Sequence, residues 1–454
     1  MNNGPRTINE AADLLRRGEL TPTALLDCCL ARIDCYEPKV QAWAYLDREG
    51  AYAQAKQRQA ELKRGESRGP LHGIPIGIKD IIDVFDLPTS CGSRLWANSY
   101  ARRDAPCVQR LRQAGAVILG KTVTTAYASF DPSSTRNPWK LEHTPGGSSS
   151  GSAAAVACGM CLGALGSQTG GSLTRPASYC GVYSLKPTYG RVSVAGILPL
   201  APSLDHVGVM ANGVLDLAIV FQSIAGPSGD PDDYFRDTSQ PIPECVAETD
   251  RQWTAPKVPI VRLRGMFEES VQPELLHQYL NVLGQLEAAW APLHSIALPS
   301  SFTDISISHR VIMAVQAAAY HVQRMDKHPD DYPAKIRELI EYGLASRGVT
   351  YHKALCLRDQ LRREASAMFG RGTVFVTPAT RDFAPTLETT GDPSFNSPWS
   401  FTGLPTLSIP VGWSNDGLPH AIQLIANHGH EGDLCAVAAW CEQVIGFTPR
   451  ILPL

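Results

Sequence analysis

Residues 145–187 read PGGSSSGSAAAVACGMCLGALGSQTGGSLTRPASYCGVYSLKP, and two Gly-Gly-Ser turns within them, ending at Ser148 and Ser172, limit how the chain can fold. Gly/Ser-rich chain by itself makes a soft linker. The segment between the turns is not of that kind. Ser152 to Cys158 is a run of small apolar residues suited to a helix, and Gly159 can close it in the left-handed conformation. Cys161 to Gly166 is short and apolar and reads as a buried strand. A helix of about eight residues rises roughly 12 Å, and a strand of six or seven returns about 20 Å. The spacing therefore permits the two serine turns to meet.

The flanking chain alternates helix and strand. Thr7-Ile-Asn-Glu10 is a capping box opening a helix through Arg17, and Thr21-Pro22 opens a second with Leu25, Leu26, Cys29, Leu30 and Ile33 on one face. A third, polar helix is expected over 51–64. Residues 73–82, GIPIGIKDII, suggest a strand with Lys79 inside it. An ammonium in so apolar a run is costly to bury. Locally, an edge strand whose lysine reaches solvent is an equally good reading.

Two motifs mislead. Gly115-x-x-x-x-Gly120-Lys121-Thr122 has the letters of a phosphate loop, but Ala-Val-Ile-Leu inside it is strand-like and no helix start follows Lys121. Gly147-x-Ser149-x-Gly151 has the letters of a nucleophile elbow, yet loop, not strand, precedes it. Further on, 226–248 reads as a Pro/Asp/Ser-rich surface loop, 258–264 and 373–378 as buried strands, and 270–370 as mainly helical. Two strands around Asn415-Asp416-Gly417 and a helix over 433–444 complete the chain.

With 454 residues, 44% hydrophobic and 19% charged, the chain can bury a large core. A net charge of -3 offers no electrostatic case for nucleic acid or an anionic membrane. No apolar run approaches a membrane span of roughly 20 residues. No signal peptide is visible, so the 12 cysteines are expected as reduced thiols in the cytoplasm. Cys158-x-x-Cys161 lacks a second pair, and His428 and His430 lack carboxylate or cysteine neighbours at ligand spacing, so no metal or other cofactor is expected.

Lys79 in its apolar strand, Ser148 in GGSSSGS and Ser172 in GSQTGGS stand in an order that resembles the amidase signature family, serine hydrolases with a Ser-Ser-Lys triad. The likeness runs through GIPIGIKD (73–80), GAVILGKT (115–122), TRNPW (135–139), PGGSSSGSAAAVA (145–157), CGVYSLKPTYGRVS (180–193), SLDHVGVMA (203–211), VTPA (376–379) and GLPTLSIPVG (403–412). It is weakest over 226–370.

The resemblance implies an α/β fold: one large domain over 1–454, with a central twisted mixed β-sheet flanked by helices on both faces. Its parts would be an N-terminal helical part (1–68), the motif-bearing core (71–221), a variable, mainly helical pocket region (226–370), and C-terminal strands and helix (373–454). It further implies Ser172 as nucleophile, Ser148, on a cis peptide, as proton relay and Lys79 as base. Backbone N–H groups of Thr169, Gly170, Gly171 and Ser172 would bind the oxyanion. Gln168 stands where many members have Asp. Arg175 stands three places after Ser172 instead of two, as in the malonamidase branch, where the arginine meets a substrate carboxylate. Arg175, Ser167 and Gln168 are accordingly the candidate substrate-binding residues. Ala126 stands where Glu is common. The implied activity is hydrolysis of a small carboxamide by a stand-alone amidase, with a homodimer as the family's expectation for assembly. The alternatives are the amidase subunit of a tRNA-dependent amidotransferase and a catalytically silent binding relative.

Overall fold

Short apolar runs become strands because each can bury both faces. The computed structural model describes residues 4–226, 244–245, 256–369, 372–450 and 452. Its strands are β1 (Trp43–Leu46), β2 (Pro75–Lys79), β3 (Val117–Thr122), β4 (Gly163–Gln168), β5 (Tyr183–Lys186), β6 (His206–Ala211), β7 (Ile260–Arg264), β8 (His294–Ala297), β9 (Val374–Pro378), β10 (Thr406–Trp413) and β11 (Pro419–Ile425). They form one mixed sheet in the order β1-β3-β2-β4-β6-β5-β10-β11-β9-β7-β8. The chain is thus a single large α/β domain whose sheet draws strands from the whole described length.

Side chains alternate across the sheet with period two. In β3, Ile118 joins one buried apolar cluster, with Leu111, Leu217 and Leu434, while Val117 and Leu119 join another, with Leu26, Leu30 and Val156. These partners lie on helices Pro106–Gln113, Val214–Ile224 and Glu431–Ile445 on one face and Pro22–Val40 and Ser150–Cys158 on the other. β2 lies between β3 and β4 and is parallel to both. Interior parallel strands read as continuous apolar runs, and all five residues of β2 are buried. Lys79 is therefore on an interior strand, not an edge. The same parallel pairing brings the C-terminal ends of β2 and β4 to one side of the sheet.

Local signals act as their chemistry suggests. Thr7 and Thr21 accept the N–H groups of Glu10 and Ala24 at the starts of helices Ile8–Arg16 and Pro22–Val40. The polar third helix is Arg48–Lys63, beginning before residue 51 because the Asp47 side chain caps it through Gly50 N–H. β4 begins at Gly163, two residues later than Cys161. Gly115, at φ 89°, separates a helix from β3, and Lys121 on β3 donates to Pro88 O and Thr89 Oγ1 and pairs with Asp80 at 3.1 Å. The lysine of the apparent phosphate loop is thus spent inside the protein. Cys158 and Cys161 are fully buried. β1 and β8, the two outer strands, are additions to the sequence reading. The surface loop expected over 226–248 lies, apart from 226, 244 and 245, outside the described residues. Among the described residues no helix is long and apolar enough to cross a membrane, and no group of three His, Cys, Asp or Glu is placed to hold a metal ion.

The helices Ile305–Lys327, Ala334–Ala345 and Gly348–Met368 pack beside the motif-bearing core. Asp331, between the first two, accepts hydrogen bonds from Ser93 Oγ (2.5 Å), Arg94 N (3.1 Å), Leu95 N (3.2 Å) and Tyr127 Oη. Tyr127 also stacks on Tyr332 with ring centroids 4.4 Å apart. Burial acts to raise the Asp331 pKa, but the hydrogen bonds from Ser93 and Tyr127 outweigh it and hold the carboxyl below its usual range. Hydrogen bonds to a charged group contribute about 1.5–3 kcal/mol, so Asp331→Ala should lower the unfolding free energy by roughly that amount in urea titrations. Because the folded value is depressed, this contribution is present above the unfolded carboxyl pKa of about 3.9. It should fade as pH falls through the folded value.

Candidate active site

The C-terminal ends of β2 and β4 carry the candidate chemistry. Ser150 starts the helix Ser150–Cys158, which runs back along the sheet so that its N-terminal turn reaches the end of β4. Ser149 Oγ accepts Ser167 N–H and donates to Ser167 O, both at 3.2 Å, while Ser150 Oγ donates to Gly146 O and Ser152 Oγ to Leu165 O. These bonds hold the first serine turn against the strand that leads to the second. The Gly147–Ser148 peptide is cis.

Lys79 Nζ lies 2.7 Å from Ser148 Oγ and 2.7 Å from Ser167 Oγ. Its side chain has no exposed surface. Burial removes the ammonium's hydration and pushes the pKa down to about 7, against smaller opposing attractions from Asp205 and Cys91. Lys121, equally buried, is given a carboxylate partner. Lys79 is given hydroxyls.

Ser172 is half-buried, and its hydroxyl makes no hydrogen bond among the described residues, so a direct bond to Ser148 is not formed here. In ligand-free sites such bonds are commonly long and tighten on substrate binding. The turn before Ser172 is fixed through its carbonyls. His206 Nδ1 donates to Gln168 O (3.3 Å), His309 Nε2 to Thr169 O (2.8 Å), Ser400 Oγ to Gly170 O (2.8 Å), and Arg175 N to Gly171 O (3.0 Å). In a trans peptide the C=O and the next N–H point opposite ways. Each anchored carbonyl therefore directs the N–H of Thr169, Gly170, Gly171 or Ser172 away from its anchor.

The three candidate substrate-binding residues occupy other positions than expected. Ser167 is the second partner of Lys79. Gln168 is fully buried, its Oε1 accepting Leu173 N and Thr174 N and its Nε2 donating to Ser400 Oγ, so it caps the helix Thr174–Cys180. Arg175 is 1% exposed, and its Nη2 donates to Gly147 O at 2.7 Å and Thr390 Oγ1 at 3.3 Å. Its Nε and Nη1 are buried without a partner among the described residues. Two cavities flank the turn. One of about 650 Å³ reaches Ser167, Thr169 and Asp205; the other, about 430 Å³, is bounded by Gly170, His309, Phe130, Met313 and Leu339. His309, Ser400 and Asp205 were not singled out in the sequence. Only Asp205 lies in a family-like motif, SLDHVGVMA, which could have drawn attention to it.

A family profile described as Amidase matches residues 24–435. The chain belongs to the amidase family. Among curated amidase-family relatives, a glutamyl-tRNA(Gln) amidotransferase subunit from Syntrophus aciditrophicus is 34% identical, over 96% of this chain and 96% of that protein. The same-named protein of Roseiflexus castenholzii is 35% identical, over 98% and 97%. Among solved structures, one from a vestigial protein complex that reveals the evolutionary origins of an s-triazine catabolic enzyme superposes with a TM-score of 0.90. It is 29% identical and covers 97% of this chain and 99% of its own. The peptide amidase of Stenotrophomonas maltophilia gives 0.85 at 28% identity, covering 100% of both. The protein is accordingly an amide-hydrolysing enzyme of the amidase fold.

A base that works only when neutral gives a rate that rises with pH. With Lys79 near 7, kcat/KM should climb as pH passes through about 7 and level off above it, because that ratio reports the free enzyme. Lys79→Ala should lower kcat/KM by about 10³-fold. A flat profile between pH 5.5 and 8.5 would count against this assignment.

Proposed function

We propose that this amidase cleaves a carboxamide C–N bond through an acyl-enzyme on Ser172, with Ser148 as proton relay and Lys79 as base. The observation that carries the proposal is the buried Lys79 amine, 2.7 Å from Ser148 Oγ, with its pKa near 7. An unperturbed lysine would be neutral in only about 1 molecule in 2500 at pH 7, whereas this one is neutral in roughly half. Neutral Lys79 donates one N–H to Ser167 Oγ and turns its lone pair to Ser148. Ser148 passes its proton to Lys79 and takes that of Ser172 as Ser172 Oγ bonds to the carbonyl carbon. The N–H groups of residues 169–172 receive the oxyanion, each worth on the order of 3 kcal/mol when preorganised. Collapse breaks the C–N bond, and Lys79 returns its proton through Ser148 to the departing amine. Water then repeats the sequence on the acyl-enzyme and releases the acid.

Arg175 enters this scheme as a brace. Its bond to Gly147 O holds the peptide that presents Ser148, and it lines neither cavity flanking the turn. The carboxylate-binding role suggested by the malonamidase-like loop would have only the buried Nε and Nη1 to use. Gln168 likewise positions the turn.

Two settings suit the reaction. The relatives named as amidotransferase subunits, 34–35% identical along nearly the whole chain, favour the amide-hydrolysing subunit of such an assembly over a free-standing hydrolase. The main departures weighing against that setting, Gln168 and the displaced Arg175, are both turned to internal support here. In that setting the expectation of no nucleic-acid partner no longer holds for the assembly, since it rested on this chain's own charge of -3.

A hydrolysis panel of glutamine, propionamide, benzamide, a dipeptide amide and malonamate, with Ser172→Ala as control, separates the readings. Ammonia release from glutamine that requires co-purified partner chains supports the amidotransferase setting. Turnover of simple amides by the isolated chain supports the free-standing amidase. Full activity of Ser172→Ala rejects the mechanism, and an absence of any turnover or fluorophosphonate labelling at Ser172 leaves a silent binding relative.

A further inference from the structure

We infer that His309 is a positioning residue for the reaction: by donating Nε2–H to the Thr169 carbonyl, it sets the direction of the Gly170 N–H. The inference rests on the proposed role of residues 169–172. A carbonyl only accepts, so the ring proton sits on Nε2, and the 2.8 Å bond fixes the plane of the Thr169–Gly170 peptide. His309 is 4% exposed, and burial lowers its pKa, which keeps the ring neutral in this donor form. Phe401 packs against the ring with centroids 6.3 Å apart. A Cβ built on Gly170 would lie 3.5 Å from His309 Cε1, so the ring sits directly beside the backbone it orients.

The location of this residue matters as much as its bond. The other side-chain anchors of the turn, His206 and Ser400, lie on β6 and on the helix Ser397–Thr402, where the chain flanks or carries family motifs. His309 lies on Ile305–Lys327, in the stretch where the family resemblance is weakest, and it lines the cavity of about 430 Å³ beside Gly170. A substrate filling that cavity touches the helix that holds an oxyanion donor in place. The helix thereby couples pocket shape to the rate of the chemical step.

An ethoxy fluorophosphonate probe tests this without knowledge of the natural amide, because it reacts at the nucleophile and develops charge on an oxygen in the same place. The maximal inactivation rate and the half-saturating probe concentration are measured for the parent, His309→Ala, His309→Gln and His309→Asn, with folding checked by thermal unfolding. Glutamine reaches the Nε2 position with an amide N–H; asparagine is too short. Misplacing one preorganised group should slow inactivation by roughly 10–100-fold in the Ala and Asn variants. Half-saturation should stay within about threefold, and Gln should restore the rate to within about threefold of the parent. Should His309→Ala not fold, the Gln and Asn pair alone decides. A parental rate in the Asn variant, a change confined to half-saturation, or no rescue by Gln overturns the inference. Labelling that persists in Ser172→Ala, or a parent that is not labelled, overturns the underlying site reading and this inference with it. A parent labelled at Ser172 with unaltered His309 variants overturns the inference alone.

Discussion

The desolvated amine of Lys79 is the constraint around which the rest of the molecule is arranged. An ammonium on an interior strand has lost its water, and protein chemistry offers three remedies: a carboxylate, a set of hydrogen-bond acceptors, or loss of the proton. The neighbouring strand shows the first remedy, where Lys121 meets Asp80. Lys79 receives two serine hydroxyls instead, which satisfy either protonation state and so leave the amine free to change between them. The parallel β3-β2-β4 pairing makes this possible, since it brings the end of β2 beside the end of β4 and the serine turn packed against it.

The Gly/Ser-rich residues around this amine are easily mistaken for flexible chain. In the structure nearly every hydroxyl of the first turn is assigned. Ser149 bridges Ser167, Ser150 holds Gly146, and Ser152 holds Leu165, while Arg175 closes the turn from behind through Gly147. Small residues let the helix Ser150–Cys158 lie close on the sheet. A Cβ on Gly151 would come within 2.3 Å of Val123 N, which shows how tight that approach is. Rigidity here comes from close packing and saturated hydroxyls, not from bulky side chains.

Periodicity and end signals made much of the fold legible. Thr7, Thr21, Gly115 and Gly159 act locally, through their own hydroxyl or backbone freedom, and each sits at an element boundary as its chemistry dictates. β1 and β8 escaped because each is four residues long and half exposed, so neither has a clear alternation or an apolar run. In the site, Lys79, Ser148 and Ser172 were legible because their surroundings are unusual for their residue types. The contacts of Arg175 and Gln168 were not, since both residue types bind backbone and ligand with the same atoms. Whether Arg175 meets Gly147 or a substrate depends on chain more than two hundred residues away, at Thr390. His309 gave no signal at all: a lone histidine in a helix looks the same whether it lines a core or steadies a turn.

The carbonyls of residues 168–171 are held by β6, by a helix of the variable region, by the C-terminal helix Ser397–Thr402 and by the turn's own following helix. These anchors are remote from one another along the chain, so no contiguous fragment contains them all. The motif-bearing residues could collapse into native-like structure and still have their N–H groups aimed at random. Competence thus arrives only with the last segment to dock, which makes turnover a stricter measure of complete folding than secondary-structure content or compactness.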